Sequence, residues 1–435
     1  MQALDSTGEF WLPGPHGVKQ HGRLVFDPVE GTRLELDGPL VERKPDGVQC
    51  EEGGEVRPRI LGMIDYGNVR QPVTLMECRR IHRALYRLDS FLIGGHFQGD
   101  EEAEFEEVVV RLRDASPWIN KDAIAVEVDS AIDGVDRRQL VCRLDVPESR
   151  HARFSRGEIS LDFRWSREDV DLESFTVRYW PEFAIKYIKM TPLSKIMEDA
   201  GSLHSLSSLC VDRSDWFHSI SVYRSDHPLI MLSGNPIENT KRPIEFKARM
   251  HEPDRQLKAH RLVAHRVPIP FDDFGGVGAV ATWLDQPPGL TPIIGSMLTM
   301  RAQSIFAENR FLNVSSAAEG LHRALVGKGK NMPTRAFDDL RRAIRNEKVP
   351  AEYHKWFTNV MAHANDFDLD RRLHDLATEL GDLAEMLIGA NSAQWVKAVK
   401  KVRNGLTHLD ENRERFDGAD LYWLAESLFQ VCLDR

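Results

Sequence analysis

Residues 395–410 read WVKAVKKVRNGLTHLD. Trp395, Val399, Val402, Leu406 and Leu409 recur at helical spacing, which predicts an amphipathic helix over 393–409 with one apolar face. Ser392, followed by Gln394 and Trp395, supplies a start signal for it. The rest of the helix is crowded with polar groups: Lys397, Lys400 and Lys401 lead into Arg403, Asn404 and His408. Successive residues advance by about 100°, so Asn404 and His408 lie one turn apart on one side. Arg403 and His408 differ by about 140° and about 7.5 Å of rise, so a straight helix does not bring both to one atom. A bend at Gly405, or the same helix from a second chain, would do so.

The helical period extends outward from this stretch in both directions. Helices are expected at 297–326, 334–346, 351–364, 369–387, 393–409 and 418–434, which together describe an all-α bundle over 296–435. Upstream the pattern changes to short alternating runs bounded by Gly, Pro and Asp, among them GRLVFDPVEGTRLELDG, EEVVVRLRD, AIAVEVDS, ISLDFRW and FTVRYW. These are strand and hairpin signals. A helical or loop stretch at 191–209 interrupts them. WLDQPPGLTPIIG, residues 283–295, is rich in Pro and Gly and reads as a linker. The expected organisation is α+β: a large β-rich region over 1–282, the linker 283–295, and the helical domain 296–435.

Composition narrows the classes. The chain has 435 residues, 42% hydrophobic and 29% charged, which is ordinary globular usage for more than one domain. No apolar run approaches the roughly 20 residues of a membrane helix, and no secretory signal opens the chain, so a cytoplasmic protein is expected. Five scattered cysteines, Cys50, Cys78, Cys142, Cys210 and Cys432, form no spacing for zinc or a disulfide framework. Residues 296–435 carry 20 basic and 20 acidic side chains, whereas 1–295 carry 37 and 47. The net charge of −10 therefore belongs to the β-rich region, and a polyanion meets less repulsion at the helical one.

The residues of the opening stretch suit cleavage of an RNA backbone. A neutral histidine accepts the proton of a ribose 2′-OH and later returns one to the leaving 5′-oxygen. An arginine supplies fixed donors to the phosphate oxygens as charge grows there. Such chemistry needs no metal and no cofactor. Lys397, Lys400 and Lys401 hold flanking phosphates in this reading, and form a solvated face in the plainer one.

The C-terminal part resembles a HEPN domain (higher eukaryotes and prokaryotes nucleotide-binding), whose ribonuclease members carry an Arg, four to six residues, then a His. RNGLTH, residues 403–408, has the four-residue spacing. FWLPGPHGVKQHGRLVFDPVEGTRLELDG, residues 10–38, and NRFLNVSSAAEGLHRAL, residues 309–325, are similar to the N-terminal domain and first HEPN helix of ApeA-type anti-phage abortive-infection proteins. The resemblance implies a metal-independent endoribonuclease set off by a phage-derived trigger, with Arg403 and His408 as catalytic pair and Asn404 in support. It also implies RNA as substrate, tRNA among the candidate targets, a homo-oligomer joined through HEPN domains, and a β-rich region that senses and regulates. A non-catalytic HEPN module that binds RNA or a nucleotide, with the β-rich region recognising the partner, is the alternative. Asp410 stands where some HEPN toxins have a modifiable tyrosine, which argues against regulation by tyrosine modification.

Other stretches have plainer readings. Glu319 and His322 have an E-x-x-H spacing that suits a metal on a helix, or else a buried polar pair. DFGGVGAVA, residues 273–281, reads as a loop. The histidine-rich run 251–266 reads as a strand with a charged outer face, with nucleic-acid contact as the sharper reading. Phe10, Trp11 and Trp180 read as core.

Overall fold

The computed structural model describes residues 1–14, 17–40, 42–43, 49–50, 56–67, 69–129, 139–168, 176–231, 233, 235–249, 262–302, 305–327, 329–389, 391–407 and 417–434. The chain divides into two compact units, Met1–Gln286 and Pro287–Arg435. The fold is α+β, a β-rich unit followed by an all-α one.

In the first unit the strands are β1 (Leu4–Trp11), β2 (Gln20–Asp27), β3 (Gly31–Leu36), the two-residue β4 (Glu42–Arg43) and β5 (Gln49–Cys50), β6 (Val56–Tyr66), β7 (Val69–His82), β8 (Leu85–Leu88) and β9 (Ser90–Ile93). After them come β10 (Glu104–Leu112), β11 (Ile124–Asp129), β12 (Gln139–Leu144), β13 (Arg150–Phe154), β14 (Gly157–Glu168), β15 (Thr176–Pro192), β16 (Phe217–Tyr223) and β17 (Ile244–Ala248). Strands β7, β6, β1, β2, β3 and β8 pair in that order, and β8 pairs back onto β7, so six antiparallel strands close a barrel. Alternation explains its interior: Thr32, Leu34 and Leu36 of β3 point inward while Arg33 and Glu35 face water, and Leu24, Phe26, Ile60, Leu75 and Phe91 complete the core. Phe10 is fully buried there, as expected of a core residue, whereas Trp11 is half-buried with its ring edge against His96.

From β9 the sheet continues through β17, β16, β10, β15 and β14 to β13. Helices α1 (Ala115–Ile119), α2 (Leu193–Cys210) and α3 (Gly276–Leu284) share a core with it, centred on Trp118, Phe183, Phe271 and Val280. The stretch 273–281, read as a loop, instead enters α3. Gly275 and Gly276 take φ of 108° and 63°, a turn open to glycine, and the apolar run after them buries Val277, Val280, Ala281 and Leu284. Of the run 251–266, residues 251–261 lie outside the described ones; 264–266 form a 3₁₀ turn.

One buried polar node ties this core together. Arg213 makes a two-pronged pair with Asp114, and Asp215 accepts hydrogen bonds from Ser207 Oγ (2.5 Å), Trp216 N (2.6 Å) and Asp114 N (3.0 Å). Burial, and then the neighbouring Asp114 carboxylate, push the Asp215 carboxyl above the usual range.

The second unit contains α4 (Thr291–Ala302), α5 (Ala307–Val326), α6 (Thr334–Lys348), α7 (His354–Val360), α8 (Leu369–Glu379), α9 (Leu383–Ile388), α10 (Ser392–Thr407) and α11 (Gly418–Leu433). The segment 283–295, read as a linker, carries the last residues of α3, a 3₁₀ turn at Pro288–Leu290 and the start of α4. The helix expected over 297–326 is two, with Phe306 extended at the N-cap of α5. That over 369–387 is also two, since Gly381 (φ 58°) lies in the left-handed region that ends α8. The core is made by α5, α8, α10 and α11, through Phe311, Val314, Leu373, Leu376, Trp395, Val399, Leu428 and Phe429.

α6 and α7 form an arm outside this core. Its base is a two-stranded clamp: Lys330 bridges Asp366, Asn331 N donates to Asn365 O at 2.9 Å, and the buried Asn365 side chain bonds both N and O of Met332. Between 333 and 364 only Phe337 is buried.

Asp114→Ala should cost about 3–5 kcal/mol, because it strands the Arg213 charge in the core. Chemical denaturation of the full chain measures this, and a loss under about 1 kcal/mol would show that the node is not a buried pair.

Candidate active site on the helical unit

The rotation of α10 about its axis is set by its apolar side. Trp395, Val396, Val399, Val402 and Leu406 are buried, and Trp395 Nε1 donates to Ser427 Oγ of α11 at 2.8 Å in the interior. The opposite side therefore faces water: Lys397, Lys401 and Asn404 are all exposed. Arg403 lies at the boundary, with a third of its side chain accessible.

Arg403 is not free. Its guanidinium donates to Glu319 Oε2 at 3.2 Å, and Glu319 Oε1 accepts from Arg323 at 2.7 Å. One carboxylate of α5 thus sits between two guanidinium groups and fixes the direction of the Arg403 side chain. Thr407 Oγ1 donates back to Arg403 O at 2.9 Å, closing the last turn. α10 runs unbroken through Gly405, so up to Thr407 the arrangement follows a regular helix. His408 lies outside the described residues.

Lys397 and Lys401 are exposed. Lys400 donates to Asp370 of α8 at 2.7 Å, and that bond raises its pKa. Asn404 has no bond to Arg403; by helical geometry the two diverge by about 100°.

Beneath this surface is a second charged cluster that sequence reading saw only in part. His322 is fully buried, with Nδ1 3.0 Å from Arg372 and Nε2 3.2 Å from Asp375 Oδ2. A guanidinium only donates, so Nδ1 is the acceptor, which leaves Nε2 as the donor directed at Asp375. Arg372 is itself buried, which lowers its pKa, and also donates to Phe367 O at 3.2 Å. Of the two readings of the E-x-x-H spacing, the metal one is not supported: Glu319 turns to Arg403 and Arg323, while His322 turns to Arg372 and Asp375. Among the described residues no group of three His, Cys, Asp or Glu side chains is placed to hold a metal ion. Glu319 and Arg323, as partners around Arg403, were the functional residues missed. The one signal for them was the i, i+4 spacing of Glu and Arg in EGLHR, which a solvated helix face shares.

Residues 5–283 match the family model for ApeA N-terminal domain 1, and residues 312–433 match that for the Apea-like HEPN domain. The helical unit with its α10 site is a HEPN domain, so the molecule is a HEPN-type defence protein. The first match alone spans more than half of the chain, and the chain belongs to the ApeA family. No curated protein and no solved structure matches it. Among the described residues no helix is long and apolar enough to cross a membrane.

His322→Ala should lower stability by about 2–4 kcal/mol, since it opens a cavity and removes the acceptor of a buried guanidinium. Asn404→Ala, on the solvent side, should stay within about 0.5 kcal/mol of the parent. Denaturant melts compare them; equal stabilities would mean that His322 does not hold α5 to α8.

Proposed function

We propose that the protein is a metal-independent endoribonuclease of anti-phage abortive infection, cutting RNA at the Arg403–His408 pair once a phage-derived trigger is sensed. The observation that carries this is the partly exposed side chain of Arg403, held by Glu319 at the edge of the solvent face of α10, with His408 at the R-x₄-H spacing in a HEPN domain. A guanidinium held in advance has little orientation to lose when a phosphate arrives, and here it stabilises the growing charge on the non-bridging oxygens. His408 takes the 2′-OH proton; the oxygen attacks phosphorus; the P–O5′ bond breaks and the leaving oxygen receives a proton. Asn404 orients the imidazole. Lys397, Lys400 and Lys401 attract flanking phosphates, Lys400 while it also holds Asp370.

Arg403 and the Asn404 face diverge on an unbent helix, so the working unit is a homodimer in which α10 of each chain contributes to one cleft. The β-rich unit, which carries the negative charge, serves as sensor. The protein acts in the cytoplasm on RNA, tRNA among the candidates.

Arg403→Ala and His408→Ala should each lower cleavage by at least about 100-fold and remove phage protection at unchanged protein abundance. The ends should be 2′,3′-cyclic phosphate and 5′-hydroxyl, and cutting should persist in EDTA. RNA bound equally by parent and both variants, and cut by none, would replace this reading with a non-catalytic binding module. Undiminished protection in either variant would remove the site.

A further inference from the structure

The α6–α7 arm has a composition that its own packing does not explain. α6 is 15 residues long, about 22 Å from the base clamp to its far end, where a 3₁₀ turn at Ala351–Tyr353 leads into α7. Helices this short gain most of their stability from tertiary packing, yet between 333 and 364 only Phe337 is buried. Around the far turn two aromatic rings are exposed: Tyr353 to 52% and Trp356 to 62%. The turn itself is held, since His354 bonds Val349 O at 2.9 Å and Thr358 Oγ1 donates to His354 O at 2.8 Å. The rings therefore sit on an ordered support.

The charges around them are lopsided. Residues 341–356 carry five basic and two acidic side chains, within a region 296–435 that is balanced overall. Arg341 and Arg342 are answered by Asp338 and Asp339 on the same helix. Arg345, whose Nε donates to Asn346, and Lys348 and Lys355 pair with no carboxylate among the described residues. Unanswered cations beside exposed rings are what a single-stranded polyanion with flat bases requires: the phosphates take the cations and unpaired bases stack on the aromatics. The core of a protein interface is instead depleted in charge.

We infer that the far end of the α6–α7 arm, through Tyr353, Trp356, Lys348 and Lys355, is a docking site for single-stranded RNA, separate from the cleavage site on α10. This deepens the ribonuclease reading, on which it rests for the choice of RNA over other polyanions. The arm captures an unpaired stretch at a distance from the scissile bond, so substrates with a loop or tail in reach are favoured over bare duplex.

The test measures binding, which separates it from catalysis. A fluorescein-labelled, unstructured oligonucleotide with 2′-fluoro sugars has no nucleophile and is not cut, and its affinity for the full-length protein is followed by anisotropy over a range of salt. Tyr353→Ala with Trp356→Ala should weaken binding about tenfold or more. Lys348→Gln with Lys355→Gln should make the log–log salt slope shallower by about 1.4. Both variants should melt as the parent does, because the replaced side chains are exposed. Equal affinity in all three proteins, or no binding by the parent, would overturn the inference. So would an aromatic variant that keeps its RNA affinity and loses self-association, which would make the tip a protein interface. Arm-dependent binding by a protein that never cuts all-ribose RNA would refute the ribonuclease reading and leave the docking site in place.

Discussion

A buried indole N–H has to find an acceptor, and in the helical unit it finds Ser427 Oγ. That bond, between α10 and α11, pins the rotation that the apolar side of α10 sets. With Trp395 directed inward, Val399, Val402 and Leu406 follow by periodicity, and Lys397, Lys401 and Asn404 have no direction left but outward. Arg403 falls on the flank, where Glu319 of α5 answers its charge. The polarity of the site is thus a consequence of core packing and not an independent feature.

The same logic operates one layer down. His322 accepts from Arg372 on one ring nitrogen and reaches Asp375 with the other, so a guanidinium and a carboxylate are joined across one buried ring. Asp375, reached from the other ring nitrogen, also pairs with Arg371 at 2.9 Å. The polar contacts thus run outward along α8 to the surface, and α5 is held to α8 over the same turn from which Glu319 reaches Arg403.

How much of this was legible depended on range. The alternation of β2, β3 and β10 and the apolar stripe of α10 are local, and each could be read along a few residues. Closure of the barrel could not, because it rests on β8 pairing with both β3 and β7, and short strands carry no mark of their neighbours. The stretch 273–281 reads as a loop because its glycines dominate, although the apolar spacing of the helix from Gly276 runs through it. Within the site, Arg403 and Asn404 are where periodicity places them. The pairing of Arg403 with Glu319 spans 84 positions, and sequence shows only that both carry charge.

The clamp at Lys330 and Asp366 gives the arm a different standing from the rest of the bundle. Bridged strand residues lie about 5 Å apart, so the chain leaves the helical core and returns to it at nearly the same point. What lies between is a cassette. Its length and sequence can change, or it can be exchanged for another segment, while the ends that the bundle feels stay together, and loop closure adds little cost as the insert grows. The far end of the arm can then change its contacts without disturbing the packing that turns α10.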